Sequence, residues 1–168
     1  QRKRTLEAPI FLDLLSRGNL IFNSSVVVRK EKILAAGGFS EDPGLVTMED
    51  YDLWLRIAKK TDGFVKVHGD LGWYWLGKGN TTSAERTRKA LIAFSEKYGR
   101  ELTSISGGSG VWWYQYTKGM AEYRLALFEE SYGTLKSASL LAAPPVVICK
   151  AAFVRIMASL KRASYVGG

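Results

Sequence analysis

Three carboxylates, Glu49, Asp50 and Asp52, stand together at the head of a helical pattern that runs from Met48 to Lys60. A helix N-terminus favours negative charge by up to about 1 kcal/mol, which predicts that they are ionised at neutral pH. An ionised carboxylate beside an irregular loop has what a general base needs, and Asp42, Pro43 and Gly44 supply the loop, just after a Gly37-Gly38-Phe39 turn. A plainer role is open to the same residues. Thr47 can cap the helix, with Asp50 answering it in an imperfect capping box, and Arg56 can close an ion pair with Asp52 one turn away.

A second group is aromatic. Trp73, Tyr74 and Trp75 sit in an apolar run and offer either a stacking platform for a sugar or base or a piece of core. His68 and Cys149 are the only residues of their types, so they cannot make a zinc site.

Elements must position these groups. Apolar spacing predicts a helix over 5–16, ending near Gly18. The β-branched run Ile21 to Val28 predicts a buried strand, and Lys30 to Ala36 a short helix stopped by Gly37-Gly38. The acidic helix 48–60 carries Tyr51, Trp54, Leu55 and Ala58 on one stripe, and Asp62-Gly63 ends it. Strands are expected to begin at Phe64, Val65 and Val67 and again at Leu71 to Leu76. Ser83 should cap a long helix to Tyr98. Residues 104–110, rich in Gly and Ser, predict a linker, which divides the chain into 1–103, 104–110 and 111–168. The last part is expected to be helical: 112–130, then Tyr132 or Thr134 to Leu141, then Pro145 to Leu160. The first two suggest a tetratricopeptide-like hairpin that must lean on something to bury its apolar face, and the third a basic amphipathic helix.

Composition bounds the options. With 168 residues, 46% hydrophobic and 24% charged, the chain suits an ordinary globular core rather than disorder. The net charge of +8 suits nucleic acid, an anionic membrane surface or a phosphate-bearing substrate. A single cysteine permits no intrachain disulfide and favours a reducing, cytoplasmic setting.

Taken in order, Asn19 to Lys30, Gly37-Gly38-Phe39, Glu49 to Arg56, Trp73-Tyr74 and Asn80 to Ser83 resemble the second half of a family 2 glycosyltransferase, an inverting enzyme with the A-type nucleotide-sugar fold. The resemblance covers about 19–100, and Glu49 to Arg56 is its most specific piece. It implies an α/β fold, the acceptor-side half of a Rossmann-like domain, followed by the helical tail. It also implies sugar transfer from a nucleotide-sugar to a hydroxyl on a glycan or lipid-linked acceptor. Asp50 would be the base, with Glu49, Asp52, Trp54, Arg56, Trp73 and Trp75 supporting or contacting the acceptor. The resemblance further implies Mn²⁺ or Mg²⁺ for the parent enzyme, bound outside this chain. Neither a nucleotide-binding βαβ half nor a strand-ending D-x-D is found here, and Asp50-Tyr51-Asp52 has that spelling only inside a helix. Trp75 and Gly77 also depart from the arginine and histidine frequent in the family. The start at Gln1 suits a fragment or one part of a split enzyme.

Two other classes compete. One is a non-catalytic interaction module that binds a partner or an anionic membrane surface through Pro145 to Arg162, placing the chain peripherally on the inner face of the membrane. That helix carries too much charge to span a bilayer but suits an interfacial position. The other, a nucleic-acid binder, has charge in its favour but no groove-reading motif, so no nucleic acid is expected as partner.

Overall fold

The computed structural model describes residues 5–69, 83–106 and 111–166. Seven α-helices run through them: α1 (Ile10–Arg17), α2 (Lys30–Ala35), α3 (Glu49–Ala58), α4 (Ala84–Ser106), α5 (Trp112–Arg124), α6 (Phe128–Ser137) and α7 (Pro145–Val166), with 3₁₀ turns at Asn23–Ser25 and Pro43–Leu45. No β-strand occurs among the described residues. This overturns the α/β expectation and, with it, the assignment to family 2 glycosyltransferases, whose Rossmann-like half requires a sheet.

The physical reason is visible in the two segments expected to be strands. Ile21 to Val28 has extended backbone on either side of its 3₁₀ turn, with Phe22 at φ −76°, ψ 122° and Val26 at φ −108°, ψ 136°. Local β preference is therefore expressed. A strand, however, exists only through a neighbour that takes its ladder hydrogen bonds, and no described segment pairs here. Val27, Val65 and Val67 are left 103%, 87% and 67% exposed. The expected strand 71–76, with Trp73 and Trp75, lies outside the described residues.

The core forms around α3. Tyr51, Leu53, Trp54, Leu55, Ile57 and Ala58 are buried with Ile10, Leu14 and Leu15 of α1, Leu91, Phe94, Tyr98 and Leu102 of α4, and Trp113 of α5. Tyr51 stacks on Phe94 at 5.2 Å between centroids, and Trp113 meets both rings edge-on. The polar tips are satisfied by α1: Tyr51 Oη donates to the Leu14 carbonyl at 2.8 Å and Trp113 Nε1 to that of Leu15 at 2.9 Å. These bonds let large aromatics be buried without stranding a donor. Gly18 ends α1 at φ +86°, and a Cβ there would approach the Trp113 ring to 3.1 Å. Its conformation and its neighbour both demand glycine.

Helix α4 begins as expected, with Ser83 Oγ accepting the Arg86 N–H at 3.2 Å. It continues past Tyr98 to Ser106 because Leu102 prolongs the buried stripe, which shortens the expected linker at its start. The expected helix 112–130 breaks at Arg124. Ala126 adopts φ +58°, the Leu127 N–H returns to the Glu122 carbonyl, and Glu129 and Glu130 instead enter the first turn of α6, where negative charge is favoured. A small second core joins Leu135, Ala151 and Val154 with Tyr116, Met120 and Tyr123, so α5 contributes to both cores.

The α5–α6 contact is close. A Cβ on Gly119 would lie 2.6 Å from Leu135 Cγ and Cδ2, and Ser131 Oγ donates to the Gly119 carbonyl at 2.8 Å. Gly119→Ala should therefore destabilise by about 1–2 kcal/mol, overpacking outweighing better helix propensity. Leu135→Ala should cost about 2–4 kcal/mol as a cavity. Urea unfolding of the double mutant should show a loss clearly smaller than the sum, since the second change makes room for the first.

Candidate functional site

Backbone geometry sets up the acidic turn before any side chain does. Asp42 Oδ1 accepts the Gly44 N–H at 2.7 Å and caps the Pro43–Leu45 turn, whose Leu45 is buried. The chain then reverses at Thr47, which takes φ +85°. A β-branched residue in that region is an outlier that costs about 1–3 kcal/mol and persists only where surrounding structure enforces it. Thr47 is thus not the cap. Met48 occupies the N-cap position with no side-chain bond, and Asp50 Oδ1 accepts the adjacent Tyr51 N–H at 2.6 Å.

The three carboxylates separate into distinct environments. Asp52 is fully buried. Its Oδ1 accepts from Lys97 Nζ at 2.6 Å and Tyr98 Oη at 2.8 Å, its Oδ2 accepts from Arg56 Nε at 2.8 Å, and Arg56 Nη2 lies at ion-pair distance, 2.8 Å, from the same oxygen. Burial pushes its pKa up, but the bonds from Lys97, Tyr98 and Arg56 together outweigh that and hold it below the usual carboxylate range. The same contact works on Tyr98, whose pKa is driven up by burial and then by the Asp52 carboxylate. Arg56 extends the network: its Nη2 donates to the Gly38 carbonyl at 2.7 Å and its Nη1 to that of Ala36. Phe39 meets Trp54 edge-on at 6.5 Å. The Gly-Gly-Phe turn and the acidic helix, separate in the sequence, are one packed unit.

Asp50 differs. It is half-buried on the face it shares with Leu53 and Trp54, three and four residues on. Burial raises its pKa most, the Tyr51 N–H lowers it, and the neighbouring Glu49 raises it again. Desolvation therefore overrides the helix-end effect, which on its own favours the charged form. Glu49 has a buried Oε2 with no hydrogen-bond partner among the described residues. Trp54, expected near an acceptor, is 2% exposed and its buried Nε1 is also unpartnered.

The expected Asp52–Arg56 pair is thus present, and Glu49 and Asp50 adjoin it. Sequence reasoning missed Lys97 and Tyr98; their only signal is an exposed lysine beside a buried tyrosine on α4, with nothing to name the acid they meet. Asp52 has its oxygens occupied by cations and a phenol, and Asp50 Oδ1 accepts a backbone N–H. The cluster is therefore unsuited to a divalent cation, and among the described residues no group of three or more His, Cys, Asp or Glu could hold a metal. The two clefts described lie elsewhere: one of about 430 Å³ along Pro9, Phe11, Leu12 and 58–62 at the other end of α3, and one of about 300 Å³ between α4 and α5. No family model matches the chain, and no curated protein or solved structure does.

The two aspartates should respond oppositely to neutralisation. Asp52→Asn should cost about 3 kcal/mol at pH 7, the low end for breaking a buried pair, because Lys97 and Arg56 reach solvent. The folded pKa of Asp52 is depressed. Its contribution is therefore complete above the unfolded value of about 3.9 and fades as pH falls through that value towards the lower folded one. Urea midpoints measured from pH 7 to pH 2.5 should show this acid loss in the wild type and a flatter limb in Asp52→Asn. Asp50→Asn should be neutral or slightly stabilising at pH 7, because the fold disfavours its charged form and the amide oxygen still accepts the Tyr51 N–H.

Proposed function

We propose that the first turn of α3 is a base site, where Asp50 takes the proton from an acceptor hydroxyl during group transfer. The observation that carries this reading is the contrast within one turn of helix. Asp52 is consumed by the scaffold, while Asp50, two residues earlier, has no cation bound to it among the described residues and has its pKa raised by burial. A base works best when its pKa approaches the operating pH, so desolvation at Asp50 tunes it in the useful direction. The strained Thr47 and the unpartnered Glu49 Oε2 sit beside it, and strain and unmet polar atoms of this kind gather at working sites.

The group transferred, in this proposal, is a sugar from a nucleotide-sugar, passed to a glycan or lipid-linked hydroxyl with inversion. The acceptor oxygen forms a bond to the anomeric carbon as the bond to the nucleoside diphosphate breaks, and Asp50 holds the released proton. In this proposal the donor's diphosphate is bound by groups outside this chain. A cytoplasmic setting belongs to the same proposal. No described helix is long and apolar enough to cross a membrane. The competing reading, an interaction module, draws support from the exposed apolar residues of α7.

Transfer should be assayed with a panel of labelled nucleotide-sugars and hydroxyl acceptors, using protein expressed from its natural gene. Asp50→Asn should lower turnover by about 10²–10⁴-fold with little change in donor affinity, and Glu49→Gln by less. Activity in the wild type should rise with pH through a value above that of an ordinary aspartate, since the base must be deprotonated, and that limb should vanish in Asp50→Asn. Near-normal turnover in this variant would sink the assignment.

A further inference from the structure

Helix α7 has two apolar faces, and one of them is buried against the other described helices while the other is largely exposed. Ala151, Val154 and Ala158 are buried, the first two against Leu135. Away from that contact, Val146, Phe153, Ile156 and Leu160 are 58%, 64%, 58% and 61% exposed, and Cys149 is exposed with them. Positions 146, 149, 153, 156 and 160 follow the alternating three- and four-residue spacing of a single helical stripe, about 21 Å long at 1.5 Å per residue.

Charge identifies what can cover this stripe. Helix α7 carries Lys150, Arg155, Lys161 and Arg162 and no carboxylate. The pair at the far end is used within the fold. Lys161 lies over the rings of Phe128 and Tyr123 at 5.0 and 5.4 Å, and Arg162 pairs with Glu129 at 2.9 Å while stacking on Tyr132 at 3.7 Å. These contacts clamp α7 onto α6 and fix the direction in which the stripe faces. Lys150 and Arg155 are exposed and form no ion pair among the described residues. Lys150 flanks the stripe, three residues before Phe153 and four after Val146. A second copy would set two cationic, carboxylate-free helices of +8 proteins against each other. An anionic lipid surface complements both the apolar stripe and the cations.

We propose that α7 docks the protein on an anionic membrane, its 146–160 stripe entering the headgroup boundary and Lys150 resting among lipid phosphates. This goes beyond the base-site reading and does not depend on it. The test is flotation of the full chain with phosphatidylcholine vesicles, with and without a quarter of phosphatidylglycerol, and a polarity-sensitive dye on Cys149, the single cysteine. Flotation should require the anionic lipid and weaken with salt, and the dye should shift to the blue. Lys150→Gln should weaken partitioning about fivefold, the equivalent of about 1 kcal/mol for one cation near the surface, and Arg155→Gln, on the far side of the polar arc, by less. Phe153→Glu with Ile156→Glu should abolish both signals without altering circular dichroism or melting, since both side chains are exposed. Absence of flotation, equal binding to neutral vesicles, or binding that survives the double glutamate variant would overturn the proposal. So would a lipid-free dimer that oxidation cross-links through Cys149, which would assign the stripe to a second copy.

Discussion

The Asp52 carboxylate is the constraint through which the N-terminal part of the fold is organised. It is wholly buried, and its hydrogen bonds reach α3 itself through Arg56 and α4 through Lys97 and Tyr98. Arg56 carries the connection onward to the carbonyls that close α2. Carbonyls at a helix C-terminus need partners that the helix cannot give them, and a guanidinium with five donors in a planar fork supplies several at once. A hydrophobic residue at position 52 could fill the space but could not fix the turn after α2 relative to α4. Buried ion pairs are weak sources of net stability; this one specifies arrangement.

That arrangement decides what the other two acids can do. Residues two apart on a helix point to nearly opposite sides, so turning Asp52 into the scaffold directs Asp50 away from Arg56, Lys97 and Tyr98. Asp50 then shares the side of Leu53 and Trp54, where burial raises its pKa. The separation of two neighbouring carboxylates into one held low and one pushed up is how a protein divides structural and proton-transfer work between identical groups. The left-handed Thr47 is the local cost of starting α3 at this angle, with Leu45 already pinned in the core.

Much of the helical organisation was legible in the residues. The stripe Tyr51, Trp54, Leu55 and Ala58 is buried as its spacing requires, Gly37-Gly38 ends α2 with positive φ, Ser83 caps α4, and Pro145 opens α7. Contacts within one or two turns were equally legible, as the Asp52–Arg56 pair shows. The failures have a common cause. Ile21 to Val28 has the composition of a strand and the backbone angles of one, yet pairing is a property of two segments and cannot be read from one. Lys97 and Tyr98 lie 45 and 46 residues from the acid they hold, and only the packing of α4 on α3 brings them together. The break after Arg124 escaped notice because Ala126, neither glycine nor proline, takes the left-handed turn.

Burial also opposes the helix-end effect at Asp50, and that opposition bears on the candidate site. The helix-end effect acts on any carboxylate in the first turn and is worth up to about 1 kcal/mol, screened by salt. Desolvation depends on what surrounds the group and can exceed it severalfold. Asp50 sits beside two residues that are nearly inaccessible, Leu53 and Trp54 at 0% and 2% exposure, so the second effect wins. At the same helix end, Asp52 is desolvated further but ringed by donors, and there hydrogen bonding wins. Position along the helix therefore does not set the protonation behaviour of these acids. The neighbours brought by tertiary packing do, and those neighbours shift Asp50 and Asp52 in opposite directions.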